Sequence, residues 1–552
     1  MNDELLARVS AWIAADPDEG DRRELAALVA RDDEAELRRR FDEPLTFGTA
    51  GLRGPERAGP AGMNRATVRR ATQGVVAWLA EIGVDPGRGV VVGRDARHGS
   101  EAFNDEVVAV LVGAGVRVYE MPRPLPTPLT AYACQALGAA AAIMITASHN
   151  PPADNGYKLY GPDGSQIIAP NDEIVERFAN AAGAATLGER SNALHHVVSE
   201  GVIEAYCDHM VSRFGVGASD LRLAYTPLHG VGGAVMADLL GAAGYQHVAV
   251  VDEQFLPNPE FPGLPFPNPE EAGVLDAGVA RANATGATLL LANDPDADRL
   301  GAAVRDGAGH WRVLRGDEIG WLLGARALED AGAGDVVATT IVSSSMLEKM
   351  ARRAGIASVT TLTGFKWITK AAPGRRLAFG YEEALGFAVD PVVADKDGLS
   401  AGLALGRLAH ELAARGRTLL DRLDELESTF GVHAGAQVSL RVAPPHGREV
   451  LSATMRRVRE NPPTTLGGVM VSDVIDLELG VDGLAPTEGL LWRLGERGRV
   501  VVRPSGTEPK LKAYIEVVGD PTGELDLERQ AATALLGALR EDLTRVLALD
   551  AR

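Results

Sequence analysis

Apolar residues recur at helical spacing through the first forty positions, at Leu5, Leu6, Val9 and Ile13 and again at Leu25, Leu28 and Val29, which predicts helices there. A glycine-rich loop, FGTAGLRGPERAGPAG, follows. Short apolar runs then alternate with helical patterns: VVVGRD (90–95), AAAIMITAS (140–148), LRLAYTP (221–227), HVAVVDE (247–253), ATLLLAND (287–294), DVVATTIVS (335–343) and RRLAFGYEE (375–383). Such runs predict buried strands in α/β layers. The end of the chain differs: GRVVVRPSGTEPKLKAYIEVV predicts two strands around a tight loop, closed by a helix near 526–549. Polar joints at 188–193, 312–318 and 429–437 suggest four domains, at 1–190, 191–315, 316–432 and 433–552. The proline-rich stretch 255–271 lies between a strand and a helix and reads as a long ordered loop.

Composition narrows the functional classes. Among 552 residues, Lys+Arg total 55 and Asp+Glu 75, a formal charge of −20 that repels a polyanion, so nucleic acid is an unsuitable partner. A small anionic ligand remains compatible if local cations override that field. Two cysteines, Cys134 and Cys207, are too few for a disulfide framework and sit in apolar, Ala-rich stretches, so both read as buried thiols. The N-terminus is acidic and amphipathic, unlike a secretory signal, and the longest apolar run, 137–147, is too short to span a bilayer. A soluble, cytoplasmic protein without membrane partners is expected.

Four loops carry candidate chemistry. TASHNPPADNGYK (146–158) places Ser148 at a strand's carboxyl end, where open α/β sheets bind ligands, with His149 and Lys158 nearby. A simple turn before two prolines explains the same residues. NDPDADRLG (293–301) sets Asp294, Asp296 and Asp298 at alternate positions, which in an extended segment share one face. Three such carboxylates repel by about 4 kcal/mol per pair at 4 Å, which implies a cation, and all-oxygen ligands suit Mg²⁺. An EF-hand is excluded, because Arg299 and Arg305 stand where it needs Gly and Glu. FGYEEALGF (379–387) offers Glu382 and Glu383 as acceptors for sugar hydroxyls, though an acidic loop of no special role has the same composition. RPSGTEPKLK (503–512) joins Arg503, Ser505, Gly506, Thr507 and Lys512, a set suited to gripping a phosphate.

These four loops, in this order, resemble those of the α-D-phosphohexomutase superfamily across nearly the whole chain: TASHNP the phosphoserine loop, DPDADR the metal loop, GYEEALG the sugar loop and RPSGTEPK the phosphate loop. FGTAGLRG and TGFKWI (363–368) also look like family elements, and the branch that includes phosphopentose mutases is the most similar. The resemblance implies three similar α/β domains with mixed sheets plus a smaller C-terminal α+β domain around a central cleft. It implies a phosphorylated Ser148 that, with Asp294, Asp296 and Asp298, holds one Mg²⁺ per chain. Arg53, His149, Lys158 and Arg299 would then surround the transferring group. Gly364, Lys366, Glu382, Glu383, Arg503, Ser505, Gly506, Thr507 and Lys512 would bind substrate.

The implied activity is a phosphosugar mutase that moves a phosphoryl group between the 1- and 6-positions of glucose or mannose, through a sugar bisphosphate that also serves as activator. A phosphopentomutase, a metal-dependent sugar phosphatase and a non-catalytic sugar-phosphate binder are the alternatives. Ala384 stands where many hexose-specific relatives carry Ser, which removes one hydroxyl from the sugar loop. Partners are small sugar phosphates, with the chain either a monomer or a homodimer.

Overall fold

A computed structural model describes residues 2–48, 51–441, 447–481, 483–504 and 510–548. The chain forms two compact units, one of Met1–Arg315 with Leu385–His410, the other of Gly316–Ala384 with Glu411–Arg552.

The first unit opens with helices Asp3–Ala15, Glu19–Ala30 and Glu34–Phe41. Side chains of Asn2, Asp18 and Asp33 accept the first free backbone N–H groups, as helix caps do. The periodic Leu5, Val9, Leu25 and Leu28 meet Leu37 and Phe41 in a small core of their own. A six-stranded sheet follows, built from β1 (Leu52–Pro55), β2 (Val90–Arg94), β3 (Val118–Glu120), β4 (Ala141–Ile145), β5 (Asp154–Tyr160) and β6 (His195–Val197) in the order β1-β5-β4-β2-β3-β6. Strands β4, β2, β3 and β6 run parallel, whereas β5 lies antiparallel to both β4 and β1. Every residue of β4 is buried, which explains the continuous apolar run in its sequence.

A second mixed sheet joins β7 (Ser219–Thr226), β8 (Tyr245–Val250), β9 (Leu289–Asn293), β10 (Leu300–Arg305) and β11 (Trp311–Val313) in the order β11-β10-β9-β7-β8. The run predicted at 247–253 ends early as a strand, because Asp252 and Glu253 open a short helix, Asp252–Phe255. Cys134 is buried as expected, but Cys207 is only half-buried, since it lies off the core-facing stripe of Ile203, Tyr206 and Met210 on its helix.

In the second unit, β12 (Val336–Thr340) lies between β13 (Ala357–Thr361) and β14 (Leu377–Glu382), all parallel. Helix Gly316–Asp330 buries Trp321 and Leu322. The C-terminal part is an antiparallel sheet in the order His433–Arg441, Lys510–Val518, Gly498–Pro504, Leu490–Arg493, Asp473–Asp476, closed by helix Leu525–Val546. Trp492, Val500, Leu511, Ile515 and Leu539 form its core. Among the described residues no helix is long and apolar enough to cross a membrane.

Candidate active site

Ser148 stands three residues beyond the carboxyl end of β4 in a left-handed backbone conformation, φ 52°. Its amide donates to Thr146 Oγ1 at 2.9 Å, and its hydroxyl donates to Asp294 Oδ2 at 2.6 Å, with His149 Nδ1 3.1 Å from Ser148 Oγ. The serine loop and the aspartate loop, about 150 residues apart in sequence, therefore meet atom to atom in the first unit.

The three aspartates are fully buried, and one oxygen from each lies within 4.8 Å of the others. They do not converge by alternation along a strand, as the sequence spacing suggested. The β9–β10 connection is a tight turn, with Ala297 at φ 55° and Arg299 N donating to Asp294 Oδ1 at 3.0 Å. The turn is also wedged: a Cβ at Gly230 would stand 2.3 Å from Pro295 Cα, and one at Gly398 2.2 Å from Arg299 O.

Positive charge surrounds the triad. Lys158, on β5, donates to Asp296 Oδ2 at 2.7 Å and Asp298 Oδ2 at 2.6 Å. Lys396, which the sequence reading passed over, lies 2.8 Å from Asp298 Oδ2. Thr127 Oγ1 adds a 2.6 Å bond to Asp296 Oδ2. Arg299 Nε is 4.0 Å from Asp298 Oδ1, and Arg53, on β1, donates to Asn150 Oδ1 at 3.0 Å. These lysines supply much of the opposing charge, so repulsion among the aspartates does not by itself demand a metal.

What points to an ion is narrower. Asp296 Oδ1 and Asp298 Oδ1 are buried and have no hydrogen-bond partner among the described residues. An orphaned buried carboxylate oxygen is costly, and two of them beside Asp294 form a hard, all-oxygen set that fits Mg²⁺.

The charges shift the nearby titrations. Burial and the neighbouring Asp296 and Asp298 push the Asp294 carboxyl well above the usual range. Asp298 is held far below it against its burial, because Lys158, Lys396 and Arg299 face it. Burial, then Arg299 and Arg53, keep the His149 imidazole neutral, well below its ordinary value.

The sugar and phosphate loops lie in the second unit. Gly364, at φ 110°, caps the short helix Phe365–Ile368 that carries the buried Lys366. Glu382 ends β14, and Glu383 accepts from Ser343 Oγ at 2.8 Å and Thr340 Oγ1 at 3.3 Å. Burial, then Glu382 and Asp317, push the Glu383 carboxyl up to about 7.

Arg503 pairs in register with Lys512 across the C-terminal hairpin and hydrogen-bonds Tyr514, whose phenol also senses Glu383 and Glu382. The phosphate strand and the sugar loop are thus close neighbours. Ser505, Gly506 and Thr507 lie outside the described residues.

Behind these groups runs a buried network. Glu516 accepts from Ser344 Oγ (2.8 Å), Ser345 N (2.7 Å) and His433 Nδ1 (2.8 Å) and faces Arg499 Nε at 3.1 Å. Lys349 Nζ donates to His433 Nε2 at 3.0 Å, which places the imidazole proton on Nδ1. Ser343 and Tyr514 carried no signal in the sequence, being ordinary residues of a strand end and a strand. Lys396 and Arg97 had one, since each lies in a polar loop beside a buried strand.

A strand-end serine hydrogen-bonded to a buried aspartate triad, on mixed α/β sheets, is a set of groups suited to phosphoryl transfer with a divalent ion. Comparison with known proteins gives the family. Four successive domain models of phosphoglucomutase/phosphomannomutase match residues 44–185, 204–307 and 315–430 as α/β/α domains I, II and III, and 457–534 as the C-terminal domain.

The chain is 39% identical over 471 residues to a Haemophilus influenzae protein named "Probable phosphomannomutase", covering 84% of this chain and 95% of that one. It is 34% identical over 553 residues to a Schizosaccharomyces pombe protein named "Probable phosphoribomutase", covering 93% and 94%. The crystal structure of a phosphoglucomutase/phosphomannomutase family protein from Burkholderia thailandensis shares the fold, with a TM-score of 0.70 at 20% identity over 91% of this chain and 97% of that one. The chain belongs to the phosphoglucomutase/phosphomannomutase family of the α-D-phosphohexomutase superfamily, and it is an isomerase of the phosphosugar mutase type.

Proposed function

We propose that this mutase moves a phosphoryl group between the 1- and 6-positions of a hexose, glucose or mannose, with Ser148 as the phosphoryl carrier and a sugar bisphosphate as intermediate and activator. The observation that carries the reading is the 2.6 Å bond from Ser148 Oγ to Asp294 Oδ2 inside a buried carboxylate triad. As phosphoryl returns from the bisphosphate, the Ser148 Oγ–P bond forms while the P–O bond to the sugar breaks. The hydroxyl donates to Asp294 Oδ2, with His149 Nδ1 3.1 Å from Oγ, and the one proton that Ser148 gives up balances the one that the departing sugar oxygen takes. Asp294, Asp296, Asp298 and an oxygen of phosphorylated Ser148 would hold one Mg²⁺, which supplies electrostatic stabilisation to the transferring phosphoryl oxygens.

Lys158, Arg299 and Arg53 offset the charge of a dianionic phosphate. In the second unit, Glu382 and Lys366 are suited to recognising the sugar. Arg503 and Lys512 are suited to the phosphate that is not reacting.

A pentose phosphate is the second reading, favoured by Ala384 in place of a hydroxyl and by the likeness to a relative named a phosphoribomutase. A coupled assay with glucose 1-phosphate, mannose 1-phosphate and ribose 1-phosphate, activated by trace sugar bisphosphate, decides between them. The highest kcat/KM on a hexose supports the first reading, and on ribose 1-phosphate the second. Ser148→Ala is expected to lower turnover by several orders of magnitude. Near-native activity in that variant removes the serine from the mechanism, and release of inorganic phosphate without isomer would make the protein a phosphatase.

A further inference from the structure

Arg97 lies in the turn that follows β2, and its side chain is only 1% exposed, so it does not reach a ligand in solvent. Its guanidinium donates from Nη2 to Ser148 O at 2.6 Å and Asn150 O at 2.7 Å. From Nη1 it donates to Pro151 O at 2.8 Å and Asp154 O at 2.9 Å. The remaining donor, Nε, faces Asp95 Oδ2 at 3.3 Å, and the Phe261 ring covers the guanidinium with its centroid 5.0 Å away. The four Nη N–H groups are thereby directed at carbonyls of the segment 148–154, while Nε stands near Asp95 with no hydrogen-bond partner among the described residues.

That segment needs external support. Ser148 holds φ 52°, a conformation that crowds Cβ against the carbonyl in any residue but glycine. Pro151 and Pro152 have no N–H with which to build an internal hydrogen-bond ladder. The strained residue is the one whose hydroxyl meets Asp294.

We infer that Arg97 is a positioning residue for phosphoryl transfer: its four carbonyl bonds hold Ser148 in the left-handed conformation that aims Oγ at Asp294, without touching substrate. The inference rests on the reading of Ser148 as phosphoryl carrier. A lysine cannot substitute, because three donors on one nitrogen cannot span four carbonyls arranged for a planar fork.

The test uses the full chain with Arg97→Lys and, as a milder perturbation, Phe261→Leu. It measures steady-state kinetics, hydrogen–deuterium exchange of the 146–154 amides, and the phosphate on Ser148 by peptide mass after incubation with a sugar bisphosphate. Arg97→Lys is expected to lower kcat by about 100-fold with KM unchanged, the scale of a misplaced reacting group. Exchange should rise in 146–154 and not across the other strands. Phe261→Leu should shift both readouts the same way by several-fold, and it decides the matter if Arg97→Lys does not fold.

Native turnover in the variants, a loss confined to KM, or unchanged exchange in 146–154 would overturn the role of Arg97. A native enzyme that takes up no phosphate on Ser148 would overturn the serine reading, and the Arg97 inference with it. Phosphorylated native enzyme with fully active variants overturns the Arg97 inference alone.

Discussion

Replacing Glu383 by glutamine separates what the sugar loop contributes to stability from what it contributes to function. The carboxyl titrates at about 7 rather than 4.5, because burial disfavours its charge and Glu382 and Asp317 repel it. In the unfolded chain the group ionises near 4.5, so between there and about 7 the unfolded state releases its proton first. Stability therefore falls as pH rises through that window, and the cost is complete above it. At about 1.4 kcal/mol per pH unit, the ionised form costs at most about 3.5 kcal/mol, and partial solvent access brings the expected effect to roughly 1–3 kcal/mol.

Glutamine keeps an oxygen to accept from Ser343 Oγ and carries no charge. Glu383→Gln is expected to raise the urea midpoint by about 0.3–1 M at pH 8, and by much less at pH 5, where the native carboxyl is already protonated. The assay is urea denaturation of native and variant protein at both pH values, without ligand. An equal shift at the two pH values, or a destabilised variant at pH 8, would refute the electrostatic argument. A gain in stability with a loss in kcat/KM would show that the fold retains a costly carboxylate for substrate.

Further outcomes follow from the same structure. Asp296→Asn and Asp298→Asn should each weaken Mg²⁺ binding at least tenfold by isothermal calorimetry, and chelation should abolish turnover until Mg²⁺ is restored; native affinity in both variants would show that the orphaned oxygens are not ligands. Glu516, against the burial that would raise it, is held well below the usual carboxylate range by Arg499 and His433. Its stabilisation is thus complete above about pH 4.5 and lost as pH falls below that. At pH 7, Glu516→Ala should destabilise the chain by about 1–3 kcal/mol in denaturant unfolding, since it leaves the buried His433 Nδ1 and the Ser344 hydroxyl without their acceptor, while the half-buried Arg499 keeps its bond to Ser343 O. A change under about 1 kcal/mol would mean that the network contributes little.

Much of this was legible along the chain. The apolar runs at 90–95, 140–148 and 287–294 became β2, β4 and β9, because a buried parallel strand must be apolar on both faces and short. The helices of the first forty residues followed from their apolar periodicity, and the structure adds the caps. The aspartates, Ser148 and Lys158 were identified from residue type and loop position, and the structure brings them together. The geometry assumed for the triad was wrong in its cause, since a turn with a left-handed Ala297 gathers the carboxylates rather than strand alternation. Lys396 lies about 100 residues from the aspartate it meets, and no local pattern encodes such a pairing.

The sequence by itself determined the layer class, the strands and the kinds of chemical group each loop offers, because hydrophobic period and residue type are local properties. Only the tertiary structure decided which charges oppose one another. Lys158 and Lys396 neutralise Asp298 and leave two oxygens open, Arg97 holds the Ser148 backbone, and Ser343 with its neighbours fixes Glu383. Burial removes water from these groups, so separations of a few ångströms between residues distant in sequence set their charge and orientation, and those separations exist only once the sheets have packed.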